Sequence, residues 1–139
     1  MGWQAIIGAA SLAMGLASSA QAQFMTAADV KPILKMTQSS WLAVREFNGQ
    51  DLLYFTQLVT FRCGLEEVFY GLNGETPSQP LPIEPCHEGT ANPAAMDPAT
   101  YPPYITLPLG SVRSVSLMMM YDDGDIQEAS FERAQIQMQ

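Results

Sequence analysis

The densest group of residues able to do chemistry in this chain is Cys86-His87-Glu88, which contains the single histidine. A cysteine next to a histidine can serve as a nucleophile with its base. Neighbours in an extended chain project to opposite sides, however, so the imidazole of His87 would not reach the Cys86 sulfur. The chain's other cysteine, Cys63, points to a plainer role. A Cys63–Cys86 disulfide would contribute about 3 kcal/mol by loop entropy if its geometry is unstrained. Two free thiols or half of a metal site are the rival readings. Zinc needs four ligands, or three and a water. Cys63, Cys86 and His87 could supply three, at a spacing that matches no zinc finger.

Asp122, Asp123 and Asp125 surround Gly124 and could offer oxygens to calcium. The loop lacks the closing glutamate of a hand-type site, and Glu128 falls beyond the turn. Asp-Gly is also what a tight hairpin selects, so the three aspartates form a weak cation candidate. Met118-Met119-Met120, with Met138, could bring thioethers to copper, make an adaptable contact surface, or fill gaps in a core. On a strand, Met118 and Met120 would face opposite to Met119. Tyr101-Pro102-Pro103-Tyr104 is a rigid aromatic stretch suited to contact if exposed. A glycosidase pair requires two acids about 5 Å or more apart, and nothing singles out a pair among the 14 acidic residues. The chain holds no Gly-x-Ser-x-Gly elbow, phosphate-cradling glycine loop or His-Glu-x-x-His. No cofactor is therefore expected.

The formal net charge of −8 and a sequence pI near 4.3 argue against nucleic acid or an anionic membrane surface as partner. They permit a cationic one. Ala5 to Ala17 is an uncharged run of small and aliphatic residues, followed by Ser18-Ser19 and Ala20-Gln21-Ala22. Small side chains at 20 and 22 suit signal peptidase, so residues 1–22 read as a secretory signal, although the leading MGWQ lacks a basic side chain. The run is shorter than the roughly 20 residues a membrane span takes, and no membrane insertion is expected after cleavage. Residues 23–139 would then form one β-rich domain in the periplasm or outside the cell, where a disulfide persists.

The elements that must position these residues follow from patterning. Thr26 reads as a helix cap with Asp29 three residues on, and Val30, Ile33 and Leu34 share a face, which predicts a short helix over 27–36 that Pro32 should kink or shorten. Trp41 to Phe47 alternates, Asn48-Gly49 supplies a hairpin turn, and Asp51 to Arg62 is apolar on both faces, as a central strand would be. Leu65 to Leu72 predicts another strand closed by Asn73-Gly74. Eight of the ten prolines then fall between Pro77 and Pro103, which forbids a helix and marks a long loop that the disulfide would pin. Tyr104–Leu107 and Val112–Tyr121 resume strand character, the latter with Val115, Leu117, Met119 and Tyr121 on one face. Asp122–Asp125 turns the chain into a polar edge strand over 126–133.

Gly64-Leu-Glu-Glu-Val-Phe-Tyr-Gly-Leu-Asn-Gly74 resembles the strand-and-turn units of exported bacterial immunoglobulin-like modules. Gly110–Leu117 and Tyr121-Asp-Asp-Gly124 are similar to their late hairpin. The resemblance implies a small antiparallel β-sandwich, here with an added helix and a Pro-rich loop. Cys63 and Cys86 are too close in sequence to be that family's pin between sheets. More broadly the chain resembles small secreted bacterial proteins. The reading is mainly β: an exported, non-enzymatic binding module with a protein partner in the envelope. Its contact surface would lie around His87, Tyr101 and Tyr104. The alternatives are a small periplasmic enzyme or metal-handling protein, or an inhibitor of an envelope hydrolase.

Overall fold

The structure, a computed structural model, describes residues 24–138, so the signal segment expected over 1–22 lies outside the described residues. Helix α1 (Ala27–Met36) begins on a capping box. The Thr26 hydroxyl accepts from the Asp29 amide at 3.3 Å and Asp29 Oδ2 accepts from the Thr26 amide at 3.3 Å. Pro32 does not shorten the helix. The missing N–H would have reached the carbonyl of Ala28, and both residues are exposed, so water can meet the freed acceptor. Ala27, Val30 and Leu34 form the buried face.

Strands β1 (Ala43–Phe47) and β2 (Gln50–Tyr54) form the expected hairpin, with Asn48 and Gly49 at φ 52° and 75°. Both φ values belong to a primed turn, whose twist matches that of the strands. The strand expected over 51–62 stops at Tyr54. Thr56–Thr60 is a second short helix, α2, and Arg62–Gly64 is a single 3₁₀ turn. An apolar run of this kind satisfies either period, and burial decides between them. As a helical turn, Phe55, Leu58 and Val59 all enter the core.

Strand β3 (Leu65–Leu72) pairs with the two-residue β4 (Gln79–Pro80) and with β6 (Ser114–Tyr121), which pairs with β7 (Ile126–Glu132). β5 (Tyr104–Pro108) lies beside β2, and β8 (Gln137–Met138) adds in parallel to β1. β6 starts two residues later than expected because Arg113 still belongs to the turn, where the Asn73 side chain accepts from the Arg113 and Ser114 amides. β8 carries no sequence signal, since two residues show no alternation.

Among the described residues the two sheets are ordered β5-β2-β1-β8 and β4-β3-β6-β7. They enclose one core in a sandwich-like arrangement: Val44 and Leu53 come from the first, Val68, Val115, Leu117, Met119 and Tyr121 from the second, and α1 closes one side. Trp41 is fully buried there, with its indole N–H on the Leu34 carbonyl at 2.9 Å and its ring edge-on to Phe131. Strands β1, β2 and β5 fall in one sheet and β3, β6 and β7 in the other. Such wiring is shared by unrelated sandwiches and does not by itself make the chain an immunoglobulin domain. The sheets are tied by charge instead of a disulfide. Asp51 on β2, fully buried, accepts from Arg133 Nη1 at 2.7 Å and from the Val112 amide at 3.2 Å, and Arg133 also donates to the Val112 carbonyl. Arg133 sits just past β7, so this pair joins the two sheets.

Candidate binding surface

The Pro-rich segment is an extension of the β3–β4 hairpin before it becomes a loop. Phe69 pairs with Pro80, Tyr70 with Gln79, and the Leu81 amide donates to the Val68 carbonyl at 2.9 Å. Counting on at the same register puts Cys86 opposite Cys63, and these two are joined with a Cα–Cα distance of 5.0 Å. The disulfide thus pins the arm to the 3₁₀ turn that precedes β3, and the arm's prolines at 80, 82 and 85 withhold ladder donors. A depression of about 300 Å³ lies between this arm and β3, with Leu65, Phe69, Leu81 and Ile83 in its wall.

Arg62 holds the arm from beneath. It is 3 % exposed and donates to the carbonyls of Val59, Pro85, Ala94 and Ala95, and its Nη2 lies 3.4 Å from Glu84 Oε2. Glu84 is 2 % exposed; its Oε1 accepts from the Asp97 amide at 2.7 Å and its Oε2 meets His87 Nε2 at 2.5 Å. Burial pushes the Glu84 carboxyl up. The Asp97 amide, the His87 hydrogen bond and the Arg62 charge outweigh it, so the group is held below its ordinary range. Burial likewise draws Arg62 down against the pull of Glu84. Smaller turns complete the loop: the His87 amide donates to the Pro93 carbonyl at 2.9 Å, and the Thr100 and Tyr101 amides both donate to the Asp97 carbonyl. Every buried side-chain nitrogen and oxygen among the described residues has a partner.

The residues singled out in the sequence sit apart on this surface. His87 is turned onto Glu84, away from the Cys86 sulfur, which is committed to Cys63. Tyr101 is 39 % exposed at the end of the loop. Tyr104 opens β5 and packs its ring on Tyr54, its cross-strand partner, at 5.0 Å. No hydrogen bond or ring contact joins His87 to either tyrosine among the described residues. The acidic turn is occupied by the protein's own positive groups. Asp122 Oδ1 accepts from the Ala27 amide at the start of α1, and Lys31 Nζ bridges Asp123 and Asp125 at 2.5 Å. The Lys31 hydrogen bond is the main reason that the Asp123 carboxyl lies below its usual range. Among the described residues no group of three or more His, Cys, Asp or Glu side chains converges as a metal would need. Met119 is buried in the core, whereas Met118 and Met120 lie half-buried on the outer face of their sheet.

Arg62 and Glu84 were not foreseen. The one available signal was a lone arginine ending a long apolar run just before a cysteine. Its partner is 22 residues away, inside the proline cluster, where no periodicity points to it. The chain matches no protein-family model, and neither curated proteins nor solved structures yielded a similar one.

Proposed function

We propose that this protein is an exported, non-enzymatic binding module that presents the arm and loop over 77–103 to a protein partner in the cell envelope. The observation that carries the reading is the internal scaffolding of an irregular segment. A disulfide and a buried arginine with bonds to three of its carbonyls hold a proline-rich loop in one shape, leaving Tyr101 and Met96 exposed on it. A loop fixed before it meets its partner loses less entropy on binding, which is the physical reason to build one. The Cys63–Cys86 bond is compatible with an oxidising compartment, in keeping with export.

Two measurements test this. In the producing cells, intact mass should show a chain starting at Gln23 whose cysteines react with a thiol label only after reduction. A retained N-terminus with free thiols would remove the export claim. A photoreactive residue placed at Tyr101 or Glu88 should give a discrete adduct that the same residue at Lys35, on the exposed side of α1, does not. Equal labelling from all three positions, or from none, would overturn the binding reading.

A further inference from the structure

The outer face of the second sheet departs from the polar makeup that a water-facing sheet ordinarily has. Register places Phe69, Met118 and Glu128 in one cross-strand row and Glu67, Met120 and Ile126 in the next. Phe69, Met118 and Met120 are half-buried, and Ile126 is 56 % exposed. The following row, Gly71, Ser116 and Ser130, is small and polar and ends the patch. On its other side the patch continues past Phe69 to Pro80 and into the depression under the arm, whose wall includes Leu65, Glu66, Glu67 and Ile83.

Charge on this face has one sign. Glu66, Glu67 and Glu128 are exposed, and among the described residues none of their carboxylates has an ion pair or hydrogen bond. No lysine or arginine stands in these rows: Lys31, Arg62 and Arg133 are engaged in ion pairs elsewhere, Arg45 lies over the Phe47 ring, Lys35 is on α1, and Arg113 precedes β6. The three glutamates belong to no cluster that could hold a metal.

We infer that this face docks a cationic, amphipathic segment of the partner protein. An apolar anchor packs on Phe69, Met118 and Met120 and reaches the depression beside the arm, while basic side chains flanking it meet Glu66, Glu67 and Glu128. Thioethers suit such a surface because they repack around different shapes. The carboxylates select the sign of the partner, since apolar burial beside unpaired anions is costly unless a cation accompanies it. The inference rests on the binding-module reading and gives that reading its chemistry.

The test is a titration of the oxidised protein, followed by amide and methionine-methyl NMR shifts, with a short amidated peptide alternating leucine and lysine. Shifts should concentrate at Phe69, Met118, Met120 and the 81–86 arm. Glu67→Lys, and independently Glu128→Lys on the edge strand, should weaken binding about fivefold, the scale of one exposed ion pair lost. Glu75→Lys, the same charge change in the β3–β4 turn, should leave it within about twofold. Equal weakening by all three variants, shifts spread over the acidic surface, or equally tight binding of a leucine–glutamate peptide would each overturn the inference. Loop-specific photocrosslinks without peptide binding would sink it alone, whereas loss of both would remove the binding reading too.

Discussion

Arg62 is a single side chain on which the shape of a whole loop depends. Its guanidinium meets four carbonyls and one carboxylate with almost no exposure, so removing it frees those buried carbonyls and takes from Glu84 its buried cation, leaving it the Asp97 amide and His87. Breaking one partner of a buried pair costs about 3–5 kcal/mol, because the remaining charge loses both water and its counter-ion. Arg62→Met should therefore destabilise the protein by that amount in chemical denaturation. Arg62→Lys should fall well short of rescue, since an ammonium has three donors on a point and cannot span the arm as the planar fork does. A lysine variant as stable as the parent would show that the hydrogen bonds contribute little. Gly64 sets a second residue-level limit. A Cβ there would stand 2.4 Å from Val30 Cγ2 and 2.7 Å from the Thr26 carbonyl oxygen, so α1 packs directly on its backbone. Gly64→Ala should cost about 1–3 kcal/mol, as overpacking does, and the loss should appear as early fraying of α1 in hydrogen exchange.

At the scale of elements, what could be read from the chain was what repeats or punctuates. α1 was legible because cap, acid and apolar face agree, and β6 because Val115, Leu117, Met119 and Tyr121 alternate over a full strand. The Asn48-Gly49 and Asn73-Gly74 turns were legible because few residues accept positive φ. Where one pattern satisfied two periods, as in the 51–62 run, only burial of Phe55, Leu58 and Val59 in the shared core could choose, and that choice is tertiary. The candidate site was legible in part: the disulfide and the proline arm were, but not the register that makes them one extended hairpin. That register carries a prediction. Cys63→Ser with Cys86→Ser should lower stability by about 3 kcal/mol. The Leu81 amide bond to Val68 and the Arg62 bonds remain, so proteolysis should open the arm near 86–95 while β3 stays protected. Cleavage that spreads through β3 would mean the arm is integral to the sheet.

For the molecule as a whole, the ion pair that joins the two sheets beside their shared core makes stability depend on pH with a definite sign. The hydrogen bond from Arg133 is the largest influence on the Asp51 carboxyl. Burial opposes it, the Gly110 and Val112 amides reinforce it, and the net result lies below the ordinary value of 3.8. Glu84 is held below its ordinary value of 4.5 by the balance of burial and hydrogen bonds described above. A carboxyl that ionises more readily in the folded chain stabilises it fully above the unfolded range. That contribution is lost as pH falls through the folded value. Unfolding free energy should thus be level from neutrality to about pH 5 and decline below it. Arg133→Gln leaves Asp51 buried without its cation, which should cost about 3 kcal/mol or more at pH 7. In acid the parent loses the ionised Asp51 as well, so the two stability curves should converge as pH falls through the folded Asp51 value, which lies below 3.8. Denaturant titrations of both proteins across that range decide the matter. Curves that stay parallel would show that the sheets are held by apolar burial alone and that the Asp51–Arg133 contact is incidental to it.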